Sequence, residues 1–70
     1  GTGMAAERIS AGAGCISVTP SAEGASVYVY DLTGKLVSSA YIKGQTTFNV
    51  EKGLYVVKVD NKAVKVVVNN

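Results

Sequence analysis

The chain has no histidine, one cysteine and one proline in seventy residues. Each scarcity narrows the chemistry. One cysteine cannot form an internal disulfide, and without histidine a zinc site built on the usual Cys and His ligands is excluded. Cys15 has no imidazole to take its proton, so nucleophilic catalysis there is disfavoured and it reads as a small strand residue. Long apolar runs are missing too, since none reaches the ~18 residues that suggest a membrane span. Charge is sparse, with a net of +2. The basic residues Arg8, Lys35, Lys43, Lys52, Lys58, Lys62 and Lys65 are scattered, whereas nucleic-acid binders concentrate charge to neutralise several phosphates at once. Neither a nucleic-acid partner nor membrane insertion is expected. Glu23, Asp31, Glu51 and Asp60 fall in different turns, so neither a calcium loop nor a carboxylate pair for glycoside chemistry is expected. No catalytic residue, metal or cofactor is expected.

What the chain does have is alternation. In Gly53–Val68, Tyr55, Val57 and Val59 point one way, and Val64, Val66 and Val68 share a face beyond the break Asp60-Asn61-Lys62. Val56, Lys58, Lys65 and Val67 form the outward set. Period-two runs around a short polar break predict a hairpin. Upstream, Cys15–Thr19 alternates with Ile16 and Val18 inward, and Pro20 ends that strand because it cannot donate a ladder hydrogen bond. Ser21–Gly24 is a polar turn. Ala25–Tyr30 puts Val27 and Val29 on one side and Tyr28 and Tyr30 on the other. Asp31-Leu32-Thr33-Gly34 is turn chemistry, and Lys35–Ile42 returns. Gln45–Val50 aligns Thr46, Phe48 and Val50, with Phe48 in the core.

Residues 1–13 are rich in Gly, Ala and Ser and are expected to form a linker or mobile arm. Gly1-Thr2-Gly3-Met4 reads as an excision remnant, which implies a domain cut from a longer protein. A short strand over Glu7–Ser10, broken by Ala11–Gly14, is the exception considered within the arm. Residues 14–70 are the domain. No helical period occurs. Short strands at ~8–12-residue spacing predict an all-β fold, an antiparallel sandwich of six to seven strands. The last two strands, richest in apolar residues, are expected at the centre or closing the core.

Three stretches carry a resemblance: Val27-Tyr28-Val29-Tyr30-Asp31-Leu32-Thr33-Gly34-Lys35-Leu36-Val37, then Lys52-Gly53-Leu54-Tyr55-Val56-Val57-Lys58-Val59, then Lys62-Ala63-Val64-Lys65-Val66-Val67-Val68. In this order and spacing they resemble the C-terminal sorting domain (type A) of type IX secretion cargo proteins from Bacteroidetes, or a closely related C-terminal β-module, over about Ile16 to Val68. Two departures stand. The Tyr-Pro-Asn-Pro element common ahead of the first matched strand is absent, and Asn69-Asn70 follow the last valines where a basic residue is common.

The resemblance implies an immunoglobulin-like β-sandwich that acts as an address label rather than an enzyme. The implied partners are the outer-membrane secretion machinery, a surface processing peptidase, and a larger N-terminal cargo domain in the parent chain. The implied location is secreted or cell-surface, reached through the periplasm. The residues it nominates for translocon recognition are Gly53, Tyr55, Lys58, Lys65, Val66, Val67 and Val68. For Lys58 and Lys65, solubility and edge protection explain the residues equally well. Asp31 and Gly34 are read as closing a hairpin. Tyr28 and Tyr30 are the candidate binding surface of an alternative class, an adhesion or carbohydrate- or protein-binding module.

Overall fold

Alternation of the kind described folds into seven strands in a computed structural model, which describes residues 8–21 and 23–69. The strands are β1 (Arg8–Gly12), β2 (Cys15–Thr19), β3 (Ala25–Asp31), β4 (Leu36–Ile42), β5 (Thr46–Asn49), β6 (Gly53–Val59) and β7 (Lys62–Val68). They form two antiparallel sheets, β1-β2-β5 and β4-β3-β6-β7. This is the expected all-β sandwich, immunoglobulin-like in its two packed sheets. In the constant-type immunoglobulin arrangement the fourth strand joins the sheet of the first, second and fifth; here it pairs with β3.

Each sheet has one apolar face, and the two faces bury each other. Ile16, Val18 and Phe48 from the smaller sheet meet Val27, Val29, Ile42, Tyr55, Val57, Val59 and Val68 from the larger, with Ile9, Val50 and Val66 packed at the margin. No polar or charged residue is buried among the described residues. The core is therefore a dry apolar layer with no buried polar side chain to satisfy.

The amino-terminal arm needs correction. Glu7 and the residues before it lie outside the described residues, but residues 8–12 form a paired edge strand, not a linker. Arg8 to Gly12 run in register with Thr19 to Cys15, and Ile9 packs against the core. Ala11 and Gly12 continue the ladder, and the break falls at the two-residue loop Ala13-Gly14, where glycine suits a hairpin. Gly14 also joins the sheets. Its N–H donates to the Asn69 carbonyl at 2.6 Å, and its carbonyl accepts from Val50 N–H at 3.0 Å.

The placement of the last hairpin is also refined. β6 is central, but β7 is an edge. Val68 is buried, Val66 half-buried, and Val64, expected to be inward and holding the core, is 39% exposed. Val64 does share the inward face, in register with Val57. A three-stranded sheet opposite is too narrow to cover every strand of a four-stranded one, so an edge position overhangs.

Unequal coverage gives a direct test. Val57→Ala removes a fully buried side chain and is expected to cost about 2 kcal/mol. That is roughly half of the ~3–5 kcal/mol a core of this size supplies. Val64→Ala, on the same face, is expected to cost less than ~1 kcal/mol. Urea unfolding of the two variants measures the difference.

Candidate functional site: the outer face of the four-stranded sheet

The residues nominated for recognition do not form one surface. Gly53 opens β6 with φ of +153°, a conformation that L side chains rarely adopt. Tyr55 points inward and is only 8% exposed. Its hydroxyl donates to the Glu51 carbonyl at 2.7 Å. A tyrosine near the start of the sixth strand, bonded back to backbone a few residues upstream at the corner, is the tyrosine corner of immunoglobulin-like sandwiches. The Gly53-Leu54-Tyr55 element thus builds the β5–β6 corner. Val66 and Val68 also face inward. Lys58, Lys65 and Val67 face outward and are exposed.

Register assembles the outward residues into rows across the sheet. Ser39, Tyr28, Lys58 and Ala63 form one row, and Leu36, Tyr30, Val56 and Lys65 the next; Leu54 and Val67 pair beyond them. Directly opposed side chains have Cβ atoms about 5 Å apart. The rings of Tyr28 and Tyr30 stack with centroids 6.5 Å apart and planes at 24°. Leu36, Leu54, Val67 and Tyr28 are each more than a third exposed. The face is therefore apolar and aromatic, with Lys58 and Lys65 standing in it. None of its strand positions carries a carboxylate.

Leu36 and Leu54 belong to this face although no motif singled them out. Parity places them within their own strands. Only cross-strand register places them beside Tyr30 and Val67, and a bulge between Val29 and Tyr30 alters parity on β4.

Asp31 and Gly34 close the β3–β4 hairpin, as their residue types suggest. Asp31 Oδ1 accepts from Thr33 N–H at 2.9 Å, Thr33 Oγ1–H at 2.6 Å and Lys35 N–H at 3.0 Å. Gly34, at φ of +89°, donates its N–H to the Asp31 carbonyl at 3.1 Å. The Thr33 hydroxyl first, then the Lys35 N–H, holds the Asp31 carboxyl below its ordinary value of 3.8.

No enclosed pocket and no cluster of metal-ligating side chains occurs among the described residues. What this geometry offers is an exposed apolar and aromatic sheet face on a small immunoglobulin-like sandwich. The chain belongs to the family described as a domain of unknown function, DUF6383, whose model matches residues 3–68. A search of curated proteins finds no match.

Two outcomes follow from these local arrangements. Tyr55→Phe keeps the ring and removes the corner bond, which is expected to lower unfolding stability by about 1 kcal/mol. The lost hydroxyl is checked by denaturant unfolding against wild type. Asp31 stabilises the fold above the unfolded carboxyl value, and that contribution is lost as pH falls through its lower folded value. Stability of Asp31→Asn, measured from pH 7 down to 2, is expected to fall less steeply than that of the wild type.

Proposed function

We propose that this domain is a non-catalytic sorting module that directs an attached protein through the outer membrane to the cell surface. It is read as a folded unit, through the outer face of its four-stranded sheet. One observation carries the reading most directly: Lys58, Lys65 and Val67 lie on that face with large exposed apolar neighbours. They have no packing duty in the core. Contiguous exposed apolar surface is a mark of interaction sites. The resemblance of three stretches to the type A sorting domain supports the sorting character, and the proposed partners remain the outer-membrane machinery and a surface peptidase.

Gly53, Tyr55, Val66 and Val68 contribute indirectly, by keeping the sheet in shape. Removing Val66 to Asn70, the simplest test of a terminal signal, would therefore remove the buried Val68 and confound recognition with unfolding; Asn70 itself lies outside the described residues.

A second reading rests on the stacked Tyr28–Tyr30 pair with Lys58 opposite Tyr28. Stacked aromatic rings beside a cation suit an adhesion module that grips glycan or protein.

A reporter fused ahead of the entire chain separates these readings in a type IX-competent host. Wild type is expected at the cell surface, and the Lys58→Glu, Lys65→Glu, Val67→Asp triple variant is expected at a tenth of that level or less. Both should melt cooperatively at similar temperatures. Wild-type fusion reaching the surface no better than unfused reporter defeats the sorting proposal. Glycan-array binding that is lost in Tyr28→Ala establishes the adhesion reading instead.

A further inference from the structure

The four sheet edges are not equally protected. β1 and β7 lie beside each other, and the Ala13–Asn69 bridge closes their end. β1 carries Arg8, and β7 carries Lys62 and Lys65. β5 is an edge of four residues only, and short edges resist pairing. β4 has neither charge nor brevity; a bulge at Val37 interrupts its ladder, and Ser38–Ile42 beyond it is regular. It is seven residues long, Leu-Val-Ser-Ser-Ala-Tyr-Ile, with no charge and no proline, and among the described strands it pairs with β3 alone. Its Leu36 and Val37 are 48% and 44% exposed.

The inward side of β4 is open as well. Ser38 and Ala40 share the face of Val29 and Val27, which are fully buried, yet Ala40 is exposed and Ser38 only half-buried. Both side chains are small, so a neighbouring strand has room there for branched apolar residues. Ile42 alone of β4 is buried. Along such an edge, alternate residues present unpaired N–H and C=O groups outward.

Charge selects the occupant. Lys35 and Lys43 stand immediately before and after β4, both exposed. A second copy aligned antiparallel, end to end, sets Lys35 against Lys43 at both ends, which opposes self-pairing. The Asp31 carboxylate has three donors on Oδ1, and the Lys35 charge is the weakest of the influences that lower its pKa.

We propose that β4 is a strand-addition site for an extended peptide segment of a partner protein, apolar and β-branched at its centre and acidic at both ends. Backbone hydrogen bonds supply the affinity, and the flanking lysines supply selection. The inference stands apart from the outer-face reading, because it concerns the sheet's edge and uses none of Tyr28, Tyr30, Lys58 or Lys65.

The test uses the whole chain and two synthetic nonapeptides, each seven residues of alternating Val and Thr between terminal aspartates or terminal lysines, with blocked ends. Amide shifts and exchange protection are read by NMR. The aspartate peptide is expected to protect amides within Leu36–Ile42 and to bind about tenfold tighter than the lysine peptide. The Lys35→Glu, Lys43→Glu double variant is expected to reverse that preference. Several results overturn the proposal: no β4 amide responding to any peptide, equal affinity in all four combinations, shifts confined to the Tyr28–Lys58 face, or concentration-dependent protection of β4 without peptide. The last marks a second copy as the occupant.

Discussion

The contact between two unequal sheets governs the rest of this structure. Three strands can shield only part of four. Val27 and Val29 on β3 and Val57 and Val59 on β6 are fully buried because they face Ile16, Val18 and Phe48. The outer strands β4 and β7 fall at the margins. β7 gains cover from β1 and from the Gly14–Asn69 bond. β4 gains little. One geometric mismatch thus makes a dry central core, a half-covered edge and an open edge in the same small domain. With one cysteine and, among the described residues, no buried polar side chain, this apolar contact carries most of the stability.

That dependence separates two meanings of a sequence motif. Gly53 and Tyr55 form the most recognisable element of the chain, and the structure gives them an architectural task. The glycine turns the backbone at φ of +153°, and the tyrosine ties the corner to Glu51. Val66 and Val68 are likewise spent on the core. On the sorting proposal, a partner of the folded domain meets chiefly what alternates with them: Val56, Lys58, Lys65 and Val67. Substitutions at inward positions then act on recognition only through the folded population, which a marginal core makes sensitive to single changes. Outward substitutions leave that population intact.

Much of this was legible in residue order alone. Alternation within each strand assigned faces to Ile16, Val18, Val27, Val29, Phe48, Tyr55, Val57 and Val59, and the structure buries them all. Asp31 and Gly34 announced their turn because few residue types accept its geometry. Composition misled at the amino terminus. Ala and Gly bury little, but Arg8–Gly12 gains its order from the β2 ladder and from Ile9, a long-range effect absent from local sequence. Val64 shows the same limit. Parity says which way a side chain points, and only the number of strands opposite says whether anything meets it. The outer-face neighbours Leu36 and Leu54 were hidden for a related reason, since strand order and register join them to Tyr30 and Val67.

Edges and faces impose different demands on such a domain. An exposed apolar face can be kept soluble by a few charges standing within it, as Lys58 and Lys65 do here. An open edge is harder to protect, because its hazard lies in the backbone and not in the side chains. β7 answers with lysines and β5 with brevity, so both common solutions are present in this chain. Their absence from β4, beside lysines placed just outside it at Lys35 and Lys43, leaves an uncharged edge bounded by like charges. That arrangement discourages end-to-end self-association while leaving the backbone available. A strand edge built in this way is selective before any side-chain pocket exists, since hydrogen bonding accepts any extended chain and the bounding charges reject those that match its own.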